Sequence, residues 1–206
     1  GFAQRFLAIG FRIGQLAADS EFIASDRAGL FVNGTFGWPG ITAANLPSGG
    51  PAYPLATPGA RLELDFGDTT KFRFGVFNGD PAGPAGPLGN PDPQRRNSDG
   101  LAFRTNDGAF LITELEQKYK LDGLPDTVKV GVWYHTGNFA DQRFDNTGLS
   151  LASPVSTGIP ANLRANWGPY AIIDQTVMKL PGNAKEDRNV GVFARISASP
   201  DDRSLV

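Results

Sequence analysis

Four arginines, Arg12, Arg61, Arg73 and Arg195, lie in stretches where polar and apolar residues alternate, and Glu63, Glu114 and Trp133 hold corresponding positions in similar stretches. A guanidinium is a planar fork that bridges neighbouring oxygens, a carboxylate accepts from hydroxyls or pairs with that fork, and an indole offers a flat apolar face. In an extended chain alternate side chains share a face, so parity puts all seven on one polar surface. Such a surface is equipped to bind a small solute rich in hydroxyl groups. It is equally equipped to wet a wall and pair with itself across strands, Glu63 with Arg73 or Lys71.

Other chemistries find little support. The chain has one histidine, His135, and no cysteine. That excludes disulfides, thiolate nucleophiles and cysteine zinc sites, and it leaves His135 without a second histidine for a metal site. A Ser/His/Asp apparatus would have a single candidate base. An enzyme is therefore not expected, and no cofactor or metal is implied. Asp92, Asp99, Arg95 and Arg96 could hold calcium or a lipopolysaccharide phosphate but suit a solvated loop better. Lysine and arginine (19) nearly balance aspartate and glutamate (21), so nothing favours a nucleic-acid partner.

The elements that must position these side chains are strands. Glycine (26) and proline (16) are abundant, which suits turns and extended segments better than packed helices. Leu62, Leu64 and Phe66 alternate with Arg61, Glu63 and Asp65, and Phe72, Phe74 and Val76 alternate with Lys71, Arg73 and Gly75. This is a hairpin pattern. Setting Phe66 opposite Phe72 and Leu64 opposite Phe74 closes it through Gly67-Asp68-Thr69-Thr70. A second hairpin is expected from residues 109–119 and 128–136, turning around Asp122 to Asp126, in a register that faces Glu114 with Trp133. A third joins residues 169–180 to 189–198, its first strand made ambiguous by Asp174 on one face and by Gln175 and Lys179 on the other. A lone strand opens the chain, with Leu7, Ile9, Phe11 and Ile13 on one side and Arg12 on the other.

Short turns near 67–70, 120–127 and 181–188 alternate with long loops rich in Gly, Pro, Asn and Asp over roughly 16–58, 79–108 and 137–168. Structureless loops of that length are uncommon in compact soluble domains, whereas outer-membrane barrels place short turns at one end and long loops at the other. Mean hydropathy is −0.22, and no apolar run approaches the roughly 20 residues of a membrane helix. Barrel strands alternate lipid-facing and lumen-facing residues, so they average to near neutrality. The fold class is therefore expected to be all-β: an antiparallel transmembrane β-barrel of the outer-membrane kind, residues 1–206 forming part of one barrel domain. About seven strands, the first and last running the same way, would not close a pore by themselves. The sequence reads as a piece of a longer barrel, with strands expected beyond both ends and any export signal ahead of Gly1. Trp38 and Trp167, near loop–strand junctions, suit either an interfacial aromatic girdle or the pore mouth. A soluble β-sandwich that binds carbohydrate is the alternative from another class.

Particular residues add a resemblance. Leu30-Phe31-Val32-Asn33-Gly34-Thr35-Phe36-Gly37-Trp38-Pro39, then Ala44-Asn45-Leu46-Pro47 and Ala52-Tyr53-Pro54-Leu55-Ala56, are followed by Gly75-Val76-Phe77-Asn78-Gly79-Asp80-Pro81. The segment Tyr170 to Gln175, Gly191-Val192-Phe193-Ala194-Arg195 and Ser199-Pro200-Asp201-Asp202-Arg203 complete the series. In this order, across nearly the whole chain, they resemble the carbohydrate-selective porin (OprB) family. The resemblance implies a barrel of roughly sixteen strands, a size that leaves an aqueous channel. It also implies passive diffusion of monosaccharides such as glucose across the bacterial outer membrane, without cofactor or energy coupling. The implied partners are small sugars, outer-membrane lipid and lipopolysaccharide, with a homo-oligomer left open. Arg12, Arg61, Glu63, Arg73, Glu114, Trp133 and Arg195 are then the expected sugar-binding residues. A general or ion-preferring porin on the same fold is the nearest alternative.

Overall fold

The computed structural model describes residues 7–86, 88–181 and 188–205. Most of the expected 181–188 turn, the first six residues and Val206 lie outside them. Seven antiparallel strands form one sheet in sequence order: β1 (Leu7–Leu16), β2 (Thr57–Phe66), β3 (Thr70–Asn78), β4 (Ala109–Leu121), β5 (Leu124–Asp145), β6 (Pro160–Lys179) and β7 (Asn189–Ser197). This is a meander, not the two packed sheets of a sandwich. Two short helices, α1 (Gly40–Asn45) and α2 (Pro93–Arg96), lie in the long loops. No helix among the described residues is long and apolar enough to cross a membrane.

The alternation sorts the two faces. Leu7, Ile9, Phe11 and Ile13, then Val130, Val132 and Tyr134, then Val190, Val192 and Ile196 stand exposed on one face. The other face carries the charged residues and is covered in part by residues 17–56. Trp167 is exposed on the first face, directly paired with Tyr134. Trp38 turns the other way, donating from Nε1 to Gly49 O at 2.9 Å and packing against Phe110.

Both expected hairpin registers are off by two residues. Leu64 pairs with Phe72 and Leu62 with Phe74, around a three-residue turn at 67–69. A two-residue slip keeps every side chain on its face, so hydrophobic alternation cannot exclude it. Charge favours the observed register, which sets Glu63 across from Arg73 and Asp65 across from Lys71 where the other would offer Asp65 with Arg73 alone. In the second hairpin Glu114 faces Gly131, and Trp133 faces Ile112. Its turn is the dipeptide Asp122-Gly123, both at positive φ (52° and 78°), the twist-matched form that Asp-Gly favours.

The third expected loop is mostly strand. β5 runs on to Asp145 and β6 begins at Pro160, leaving 146–159 as the connection. A bulge between His135 and Asn138 marks where the extension begins. The two other long loops are loops indeed, carrying among their described residues 3₁₀ turns and the two helices.

Candidate functional site

Residues 18–37 lie as a strap across the charged face. Phe22 and Ile23 are fully buried against Phe77, Phe110, Ile112, Trp133, Tyr170 and Ile172, side chains from β3 to β6. A buried phenylalanine is worth about 3–5 kcal/mol relative to alanine, so this apolar contact anchors the strap. Polar wall groups then fasten its backbone. Ile23 N–H donates to Glu114 Oε2 at 2.9 Å, and Lys129 Nζ donates to Ala24 O at 2.8 Å. Ser25 Oγ donates to Asp174 Oδ1 at 2.6 Å, and Arg27 Nη2 donates to Thr176 Oγ1 at 2.6 Å. Ile23 sits at φ 58°, a left-handed conformation that costs a β-branched residue on the order of 1–3 kcal/mol.

Toward the short-turn end the wall is a ladder of opposed charges. Arg73, at its centre, meets Glu63 at 2.7 Å, Glu114 at 3.0 Å and Glu116 at 2.9 Å. Lys71 meets Glu63 at 3.2 Å and Asp65 at 3.5 Å, and Lys129 meets Glu116 at 3.6 Å. Arg61 pairs with Glu63 and with Glu21 of the strap, which also holds Arg12 at 2.8 Å. Burying single ions would cost several kcal/mol each; mutual pairing offsets that cost. The ladder and the strap border a cleft of about 450 Å³. Six cations (Arg12, Arg61, Lys71, Arg73, Lys118, Lys129) and five carboxylates (Glu21, Asp26, Glu63, Glu116, Asp174) line it. A second cleft, of about 760 Å³, shares Asp26, Lys118, Thr127 and Asp174 with the first and opens at the short-turn end.

The structure therefore brings five of the seven expected residues together: Arg12, Arg61, Glu63, Arg73 and Glu114. Glu114 is at the ladder's closed edge, fully buried, with Tyr170 Oη donating to it at 3.0 Å. Trp133 and Arg195 stand apart. Trp133 is 1% exposed, tilted against Phe110 with ring centres 6.3 Å apart, and offers no face to open space. Arg195 donates to the carbonyls of Ile23, Thr35, Phe36 and Gly37, so it clasps the strap.

A profile of the carbohydrate-selective porin, OprB family matches residues 2–206. The chain belongs to that family. Among solved structures, the high-pH structure of Pseudomonas putida OprB aligns with a TM-score of 0.75 at 17% identity. The alignment covers 97% of this chain and 44% of that one, so the porin sequence here spans less than half the length of that relative. No curated protein sequence matches it.

Several residues of this porin's site are missing from the expected set. Glu21, Lys129, Asp174 and Tyr170 take part as fully as the expected residues, but Glu21 belongs to a loop without periodicity. Asp174, which makes β6 ambiguous as a strand, is the partner of Ser25. That ambiguity was the available signal: Asp174 interrupts the alternation of β6 on the face that the strap covers. His135 is a wall residue, its Nε2 3.0 Å from Gly79 O and its Nδ1 accepting from Gly137 N–H. No metal-ligating cluster occurs among the described residues. In the 79–108 loop, Asp92 caps α2 and Arg96 donates to the carbonyls of Gly83, Asn90 and Pro91.

Proposed function

We propose that this wall is part of a water-filled passage through which small neutral sugars, monosaccharides such as glucose, diffuse across the bacterial outer membrane. The observation that carries the reading is the near balance of cations and carboxylates around one cleft. An uncharged polyol meets donors and acceptors side by side there, while neither sign of charge is in large excess to favour an ion. Arginine forks can bridge adjacent hydroxyl oxygens, and carboxylates accept from hydroxyl protons. Binding has to be weak, because a passage that held its solute tightly would stop conducting. The apolar outer face supports a place in lipid, with lipopolysaccharide beside the long loops.

The test is liposome swelling by the full-length porin, comparing glucose with an amino acid of similar size. Faster glucose entry is expected, and equal rates would overturn the selectivity. Glucose should also reduce single-channel conductance, as a general or ion-preferring porin would not allow. Arg61→Ala and Arg73→Ala should each weaken that block while leaving the barrel folded.

A further inference from the structure

Arg12 and Arg61 are direct cross-strand partners, so two guanidinium groups stand side by side on the charged face. Like charges so placed repel, and a positive spot on a low-dielectric wall concentrates anions. The carboxylate that compensates both comes from the strap, not the wall. Glu21 accepts from Arg12 Nη1 at 2.8 Å and from Arg61 Nε. It provides Arg12's one ion pair among the described residues. Glu63 stands 3.6 Å from Arg61, but Lys71 and Arg73 share it. Packing fixes Glu21 in place: its N–H donates to Ala18 O at 3.0 Å, and both Ala18 and Phe22 are fully buried.

We propose that Glu21 is a specificity-determining residue, whose carboxylate neutralises the Arg12 and Arg61 pair and so keeps this stretch of the passage from becoming an anion site. The inference rests on the porin function proposed above. Without Glu21 the cleft would hold six cations against four carboxylates, with the surplus concentrated where two arginines adjoin. An anion would then reside there and compete with a neutral solute.

The experiment uses the full-length porin in planar bilayers, with zero-current potentials measured across a KCl gradient. Glu21→Gln is expected to raise the chloride-to-potassium permeability ratio several-fold near 0.1 M salt. The rise should shrink near 1 M salt, where screening shortens from about 10 Å to about 3 Å. The double variant Arg12→Gln, Glu21→Gln should return the ratio to the parent value. Arg12→Gln alone, which keeps the strap carboxylate and its Arg61 partner, should move the ratio toward potassium. This variant decides the matter if Glu21→Gln does not assemble. An unchanged ratio in each variant that assembles overturns the proposal. Glucose swelling of the unmodified porin is scored separately: its failure would remove the sugar reading and leave the charge role of Glu21 standing on the potentials.

Discussion

Glu114 on β4 accepts the backbone N–H of Ile23 at 2.9 Å, across 91 residues of sequence. The same carboxylate takes Arg73 at 3.0 Å and the Tyr170 hydroxyl at 3.0 Å, and it is fully buried. One side chain thus joins the charge ladder to the strap. Glu114→Ala would leave the Ile23 N–H without its acceptor, reduce the Tyr170 hydroxyl to its 3.5 Å contact with Thr113 O, and remove one of three partners from Arg73. Breaking a buried pair in this way costs about 3–5 kcal/mol. Heat-modifiable gel mobility and thermal unfolding in detergent should register that loss, and single-channel conductance should rise as the strap loosens. Unchanged conductance in a folded variant would show that apolar packing of Phe22 suffices to hold it.

Gly131 gives the ring of Tyr170 its room. It faces Glu114 across the β4–β5 pair, and a Cβ added there would collide with the ring carbon and hydroxyl of Tyr170 and with Thr113 O. Gly131→Ala should therefore push the tyrosine off Glu114 and destabilise the barrel by about 1–3 kcal/mol. The companion variant Gly131→Ala, Tyr170→Phe should not add the two single losses, because both remove the same hydrogen bond. Thermal unfolding of the four proteins in the cycle checks this.

The outer face was legible in the sequence because lipid demands an apolar residue at every second position. Leu7 to Ile13 and Val128 to Tyr134 could be placed from pattern alone. The register was not legible from that pattern, since a slip of two leaves Leu64 and Phe72 on the same face. It lay in the charges, Glu63 with Arg73, and in the Asp122-Gly123 turn. Residues 137–145 and 160–168 resemble a loop because alternation fades there while strand pairing continues as far as Asp145 with Pro160. The strap was illegible for a different reason. Its partners Glu114, Lys129 and Asp174 lie on β4, β5 and β6, and no local pattern links them to Glu21 through Ser25. Parity correctly put Trp133 on the inner face, but it could not show that Phe22 and Ile23 would help to cover it.

Trp133 therefore yields a prediction opposite to its expected role. It is 1% exposed, and among the described residues its Nε1 has no hydrogen-bond partner. Trp133→Phe removes that buried orphan donor, which offsets part of the loss from a smaller ring, so the net change in stability should stay within about 2 kcal/mol. Glucose swelling rates should be unchanged. A fall in glucose entry with an intact barrel would return Trp133 to the solute path.

The 79–108 loop carries a pH-dependent fastening. Arg104 donates to both oxygens of Asp107, at 2.7 and 2.6 Å, and Asn78 Nδ2 donates to the same carboxylate at 3.2 Å. The Arg104 hydrogen bond, more than anything else, holds the Asp107 carboxyl below the usual value of 3.8. A carboxyl whose folded pKa is depressed contributes stability above its unfolded pKa and loses it as pH falls through the folded one. The contribution is thus complete at neutral pH, begins to fall below 3.8 and disappears once the folded group protonates. Arg104→Ala should lower the resistance of this loop to proteolysis at pH 7 relative to the parent protein. At pH 2 to 3, with an acid protease, the difference between the two should narrow. A gap that stays constant across the range would mean that Arg104 acts through packing, independent of the charge on Asp107.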